Sequence, residues 1–341
     1  MAKVCKVTFN DKPFFANAGD LLLDSALMNG VDIPHDCRAG MCGACRVQLV
    51  EGQVYGGQDD DGEVIHACQA RVVSDLQIIT EDVPATISTS AKLVGLTKLA
   101  TDVFGVQLEL PKPLEYLPGQ FCKVQFRGFP ARCYSPTFPL EGSPKDRILN
   151  FHIRVVPDGQ VSSALGKQIR PGHRVKLEGP NGTAFFRPNH PGRTVLVSSG
   201  TGFAPMWSVA VAALYERPER DMVFVVSTRT LRSMYMHRAL ARLAPFPNVR
   251  VIPVVSQLEN VNVRVPCGRP TDHMPELTSD DIVYTAGAPA MTKALATTAR
   301  IAGAKCYTDP FVSDPHPVEQ PGAMARVADW LGSKALTMAT P

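Results

Sequence analysis

Hydrophobic and polar positions alternate from Lys3 to Phe9, the period of a half-buried strand, and a second such run surrounds Phe14 and Phe15. Asp20 precedes the apolar stretch Leu21 to Met28, closed by Gly30, which predicts a short helix capped by that carboxylate. After a strand pattern at Cys45 to Leu49 the chain turns polar at 56–62. Pro84 and a Ser/Thr run then predict a linker across 81–91. From 92 to about 190 come short strands broken by Gly and Pro: Val103 to Leu110, Phe121 to Phe126, Leu149 to Val156 and Val175 to Glu178. Such a run predicts an antiparallel β-barrel or sandwich. Beyond 194, strands at Thr194 to Val197, Met222 to Ser227, Val249 to Val255 and Ile282 to Thr285 alternate with helices beginning near Pro205, Met234 and Pro289. That alternation is the signature of a parallel α/β sheet. The expected division is 1–88, 89–191 and 192–312. A tail at 313–341, Pro-rich and then weakly amphipathic around Met324, Val327 and Leu331, is given no role.

Composition narrows the functional classes. The chain is 45% hydrophobic and 20% charged, as packed domains are, and its net charge of +3 is too small to suggest nucleic acid or a membrane surface as partner. The average hides an asymmetry: residues 1–88 hold 6 Lys and Arg against 13 Asp and Glu, a balance of −7, and the remainder +10. Domains of opposite charge can attract one another, or an acidic face can meet a partner. The acidic run Asp59, Asp60, Asp61 and Glu63 is either part of such a face or a solvated loop. Thr194 to Tyr215 carries no charge and is long enough to imitate a membrane span, but Gly200, Gly202 and Pro205 cut it near the middle. The first residues show no export signal and run directly into a strand pattern, so a cytoplasmic location is expected.

Nine cysteines are present, four of them between residues 37 and 68. Cys37, Cys42, Cys45 and Cys68 have the spacing C-x4-C-x2-C-x22-C, which is that of a plant-type two-iron, two-sulfide cluster. A four-thiolate zinc site is the alternative, but zinc ligands more often form two short pairs set well apart. Cys5, Cys122, Cys133, Cys267 and Cys306 lack ligand spacing and are expected to be buried free thiols.

Two further motifs follow. In Arg132-Cys133-Tyr134-Ser135-Pro136, strand alternation puts Arg132 and Tyr134 on one face. An arginine fork suits a pyrophosphate, and the tyrosine can cover a ring. Downstream, Gly159-Gln160-Val161-Ser162-Ser163 precedes an expected short helix, Ala164 to Gln168, whose N-terminus would seat a phosphate. The strand ending at Val197 leads into Ser198-Ser199-Gly200-Thr201-Gly202-Phe203-Ala204-Pro205, a Gly turn and helix start where backbone amides can approach a diphosphate.

The segment 1–88 resembles a plant-type ferredoxin domain, of β-grasp fold. The pair of motifs after it resembles those of the ferredoxin–NADP reductase superfamily. This resemblance implies FAD held by Arg132, Tyr134, Ser135, the strand containing His152, Ile153 and Val155, and Gly159, Gln160, Val161, Ser162 and Ser163. Ser135 would face the flavin N5 edge. It implies a nicotinamide coenzyme at Gly200, Thr201, Gly202 and Gly287. Ala286 stands where relatives commonly have cysteine, so no thiol would contribute to hydride transfer. Ser135, Ala286 and Phe311 would surround that step, Phe311 as a lid or simply as core, and no general acid or base is assigned. Ser233, with Arg229 and Arg232 nearby, replaces the acidic residue of NADH-preferring relatives. NADPH, or use of both NADPH and NADH, is therefore favoured, unless the arginines are only solvated.

The order of the three parts resembles the reductase components of multicomponent aromatic-ring oxygenases. An electron-transfer reductase is expected, with a terminal oxygenase of Rieske type as its protein partner. A diiron hydroxylase, a separate ferredoxin, or a redox-responsive binding role are the alternatives.

Overall fold

Cys5, Val7 and Phe9 are buried while their neighbours face outward, so the first alternating run becomes strand β1, Val4–Phe9. It pairs antiparallel with β2, Lys12–Asn17. The structure, a computed structural model, describes residues 3–35, 38–40, 44–58, 62, 64–80, 83–258 and 264–312. Cys37, Cys42, the run Asp59, Asp60, Asp61 and Glu63, and the tail 313–341 lie outside the described residues.

Helix α1, Leu22–Met28, follows, with Leu21 and not Asp20 as its cap. The Asp20 carboxylate is committed elsewhere, accepting from the backbone and side-chain amides of Asn17 at 3.1 Å each, while Leu21 bridges to Arg71. Then come β3 (Arg46–Glu51), β4 (Val54–Tyr55), β5 (Val64–His66), β6 (Arg71–Val72) and β7 (Leu76–Ile79). The first sheet runs β2-β1-β7-β3-β5 with β1 and β7 parallel, a mixed β-grasp sheet over its own core.

The second sheet is antiparallel, in the order β11-β10-β13-β8-β9-β12. Its strands are β8 (Ile87–Ala100), β9 (Val103–Glu109), β10 (Phe121–Phe126), β11 (Arg132–Tyr134), β12 (Ile148–Arg154) and β13 (Arg174–Asn181). A bridge from Thr137 to Asn150 brings the β11 end back onto β12 and turns the sheet toward a barrel. The Ser/Thr run expected as linker is instead the start of β8, the longest of these strands. Its polar residues hide a strand because most of β8 stays exposed on one side, while β13 and β9 pair its two edges.

The third sheet is wholly parallel, ordered β16-β15-β14-β17-β18. It comprises β14 (Thr194–Ser199), β15 (Met222–Thr228), β16 (Val249–Val255), β17 (Ile282–Gly287) and β18 (Lys305–Pro310), with helices α2 (Phe203–Glu216), α3 (His237–Ala241) and α4 (Pro289–Ile301). All seven residues of β15 are buried, as expected for a strand covered on both faces. The helix expected at Met234 starts only at His237, because Met234, Tyr235 and Met236 plug into the core first. Strand order reverses between β14 and β17, and a crevice outside their carboxyl ends is where such sheets take ligands. Among the described residues no helix is long and apolar enough to cross a membrane.

Two arginines tie the barrel-to-sheet connection. Arg220, 1% exposed, donates to the carbonyls of Pro188 (2.9 Å) and His190 (3.1 Å) and to Glu216 (2.5 Å). Arg193 forms a two-point pair with buried Asp281, at 2.9 and 2.8 Å. Burial pushes the Asp281 carboxyl up, but Arg193 and the Thr278 amide outweigh it and hold it below its ordinary value. Its stabilisation is therefore present above the ordinary carboxylate pKa and is lost as pH falls through the depressed one. Arg193→Ala is expected to cost ~2 kcal/mol at neutral pH. In thermal melts, the gap from the parent should narrow in acid; a gap that does not change with pH would refute the pairing.

Candidate active site

Cys45 and Cys68 are both buried, with sulfurs 3.2 Å apart and no disulfide between them. Strand β3 begins immediately after Cys45, and the Ala67 amide donates to the Cys45 carbonyl, which fixes the two chains side by side. The Gln69 amide donates to the Arg38 carbonyl (3.0 Å) and toward the Cys68 sulfur (3.7 Å). Two soft sulfurs converging in a buried place, with an N–H aimed at one, suit thiolate ligation of iron. Of the four expected ligands these two are brought together. The two others lie outside the described residues.

Arg132 and Tyr134 are half-buried and Cys133 is exposed, as alternation along β11 requires. Cys267 is exposed too, in a loop bridged to Val255, and Cys306 is only partly buried, so of the five thiols expected to be buried Cys5 and Cys122 are. Ile153 and Val161 point into the barrel core, which leaves only their backbone to face a ligand. The expected helix Ala164 to Gln168 is replaced by one 3-10 turn, Ser162–Ala164, because Gly166 takes a φ of +77° and the chain turns back onto Ile169. Its hydroxyls are partly used: Ser162 accepts from the Val156 amide at 3.0 Å and Ser163 donates to the Gly159 carbonyl at 2.5 Å. The Thr137 hydroxyl, 3% exposed and two residues past Ser135, has no protein partner. A buried hydroxyl of this kind needs a polar partner, and the polar edge of a flavin ring provides one.

At the switch point, Gly200–Gly202 forms a 3-10 turn between β14 and α2. A Cβ on Gly202 would overlap the Ala286 carbonyl, and one on Gly287, at φ +128°, would overlap Ser199. These two glycines let the ends of β14 and β17 close on each other. Ser199 accepts from the Ala288 amide at 3.0 Å, locking the same junction. Beside Ala286 in register stands Asp309 of β18, and Asp309 accepts from the Ser135 hydroxyl at 3.2 Å. The Phe311 amide donates to the Gly287 carbonyl at 2.7 Å. Ser135, Ala286 and Phe311 are thus gathered around one point. Phe311 is 36% exposed, at the rim and outside the core.

Three residues here were given no role of their own from the sequence. Asp309 is partly buried; desolvation pushes its carboxyl up to about 7, and the Ser135 hydrogen bond pulls it back. Its signal was its place two residues before Phe311, near the end of β18. Arg154 shares the outward face of β12 with His152, and its guanidinium reaches to 3.8 Å from where a Gly200 Cβ would lie. Tyr235 meets the His152 ring, with hydroxyl and Nδ1 3.1 Å apart. His152 therefore faces the nucleotide sheet. Arg229 and Arg232 lie exposed beyond β15, and Ser233 shares a hydrogen bond with Thr230 at 3.1 Å.

Known proteins resolve what this arrangement is. Family profiles match in the same order as the three sheets: a 2Fe-2S iron–sulfur cluster binding domain at 7–73, an oxidoreductase FAD-binding domain at 90–186 and an oxidoreductase NAD-binding domain at 196–297. The ferredoxin–NAD(P)(+) reductase component of a naphthalene 1,2-dioxygenase system from Pseudomonas putida is 31% identical over 321 residues, covering 88% of this chain and 95% of that one. The chain belongs to the NAD(P)H-dependent flavin and 2Fe-2S reductases. A ferredoxin reductase in carbazole 1,9a-dioxygenase is similar over 92% of this chain and 99% of its own, with TM-score 0.64 and 26% identity. An Amycolatopsis cytochrome P450 reductase is similar over 91% of this chain and 99% of its own, with TM-score 0.67 and 25% identity. In this chain the Ser135–Asp309 pair joins the sheet matched by the FAD-binding profile to the edge strand β18 of the parallel sheet.

A carboxyl raised to about 7 is protonated below that pH and charged above it, so the native state is penalised as pH rises. Because the unfolded carboxyl titrates near 3.8, this penalty builds up between about 3.8 and 7, so Asp309→Asn is expected to raise Tm relative to the parent at pH 8.5 and to match it only near pH 4. Equal differences at the two pH values would show that Asp309 is not buried as described.

Proposed function

We propose that this reductase takes hydride from NAD(P)H and delivers electrons singly to a terminal aromatic-ring oxygenase of Rieske type. The carrying observation is the likeness over 95% of the length of a dioxygenase-system reductase component. When bound, FAD accepts an electron pair as hydride and releases it one electron at a time, and the cluster relays single electrons.

The chain's own residues bind and orient. Cys37, Cys42, Cys45 and Cys68 would hold the cluster. Arg132 and the Gly159 to Ser163 turn would hold FAD phosphates, Tyr134 would cover its ring, and Ser135, steadied by Asp309, would face its reactive edge. Gly200, Thr201 and Gly202 would admit the coenzyme diphosphate, with Arg154 offering a cation beside that turn. Ala286 and Gly287, packed against Ser199, would line the place of the nicotinamide. Positioning is the main contribution, since reacting atoms must come within about 3–3.5 Å. The domains 1–88, 89–191 and 192–312 would carry these three tasks in turn.

The likeness to a P450 reductase favours a second reading, in which the acceptor is a cytochrome P450. A diiron hydroxylase or a separate ferredoxin would draw on the same residues.

Three measurements test this reading. Holoprotein is expected to contain about two irons and two labile sulfides per chain, and stoichiometric zinc would overturn the cluster. Cys42→Ala should abolish cytochrome c reduction while leaving ferricyanide reduction, which the flavin can serve directly, largely intact. Equal loss of both in a mutant that keeps its flavin would contradict the serial path. For the coenzyme, Arg232→Asp is expected to raise KM for NADPH about five- to a hundredfold more than for NADH; equal effects would make Arg232 a solvated surface residue.

A further inference from the structure

We propose that Tyr235 is a positioning residue for the nicotinamide coenzyme, acting through its hydrogen bond to His152 of the flavin barrel. The inference rests on the proposed function, and takes the segment Thr228 to Ser233, which carries Arg229, Arg232 and Ser233, to receive the ribose end of the coenzyme. That segment is exposed at Arg229, Leu231 and Arg232 and held at one end by the sheet: the Ser256 and Gln257 amides donate to the Thr228 and Arg229 carbonyls at 3.0 and 2.8 Å. Inside it, the Thr228 hydroxyl donates to the Thr230 carbonyl at 2.9 Å. Its other end runs into Met234, Tyr235 and Met236, all buried.

Tyr235 is where this end is fixed to another domain. Its ring meets His152 edge-on, with centroids 5.2 Å apart, and Phe203 edge-on at 6.2 Å. His152 lies parallel to Phe203 at 6.4 Å, and Phe203 in turn stacks on Trp207 and Phe224 at 5.8 and 5.6 Å. Phe203 is the first residue of α2, directly behind the Gly200–Gly202 turn. One aromatic column therefore joins the barrel strand β12, the diphosphate turn and the end of the ribose segment. Ring packing alone tolerates sliding. The hydroxyl-to-Nδ1 bond fixes the distance and angle.

Burial makes that bond durable. A buried phenol and a buried imidazole each need a partner, and here each has the other. Desolvation lowers the His152 pKa to about 3, so the ring stays neutral, and burial, aided by Asp102, keeps the phenol un-ionised. The interaction is thus a neutral pair throughout the ordinary pH range.

The test uses the flavin- and cluster-loaded full chain, with NAD+ and NADP+ as binding probes in calorimetry. Tyr235→Phe keeps the ring and removes only the hydroxyl. It is expected to weaken binding of the preferred coenzyme about five- to twentyfold, with KM rising more than kcat falls. Flavin content should match the parent. His152→Gln, which can still accept a hydrogen bond, should recover most of the affinity that His152→Leu loses. Tyr235→Phe combined with His152→Leu should be no weaker than the weaker single variant. Unchanged coenzyme affinity with a lowered Tm would overturn the proposal, and so would additive effects in the double variant. Loss of flavin with affinity retained would assign the bond to the barrel instead. A parent that binds neither coenzyme would refute the functional reading itself, and the proposal with it.

Discussion

Hydride transfer needs two ring systems brought to within about 3–3.5 Å, and this chain supplies their sites from two separately built sheets. Everything therefore depends on the seam between the antiparallel barrel and the parallel sheet. Oily surfaces alone would let the sheets slide, because hydrophobic attraction has no direction. The seam instead contains polar groups with directional partners. Ser208 of α2 donates to the Pro136 carbonyl at 2.9 Å, Ser135 to Asp309, and Tyr235 meets His152. Arg187 lies over the Tyr307 ring at 3.5 Å while its amide donates to the Tyr284 hydroxyl at 3.0 Å. Any sliding would strand one of these groups unpaired, and that cost fixes the register.

The sequence made the three sheets legible because their hydrophobic periods differ. Period-two alternation marked β1 and β2, and unbroken apolar runs marked β14 and β15. The motifs were legible because glycine and cysteine have few substitutes where a close approach or a soft ligand is needed. What stayed hidden depended on contacts far along the chain. Strand β8 reads as a loop until β9 and β13 pair with it. Asp20 reads as a cap until Asn17 claims its carboxylate. The turn after Gly159 reads as a helix until Gly166 redirects it. Asp309 and Ser135, 174 residues apart, carry no mutual signal in a single sequence.

The same logic explains Arg154 and His152. On β12, Phe151 and Ile153 fill the barrel, so the intervening side chains must leave it, and they leave toward the nucleotide sheet. A strand in one core thereby presents one cation and one aromatic to the neighbouring domain. The period of two divides its residues between holding the barrel together and addressing the second cofactor site.

Strand β18 carries this division further. It forms one edge of the parallel sheet, and an uncovered edge invites unwanted pairing. Burial raises the Cys306 thiol on this strand to about 12, while the Arg46 guanidinium acts in the opposite direction, which puts Arg46 within electrostatic reach of the edge. Arg46 directly follows Cys45 in the sequence. Three residues along the same strand, Asp309 holds Ser135. One extended segment, rising about 3.3 Å per residue, thus bonds Ser135 near one end and lies within electrostatic reach of Arg46 nearer the other. Residues 1–88 carry −7 and the remainder +10, so charge alone attracts the two to one another. Attraction of that kind weakens with salt over ~8–10 Å.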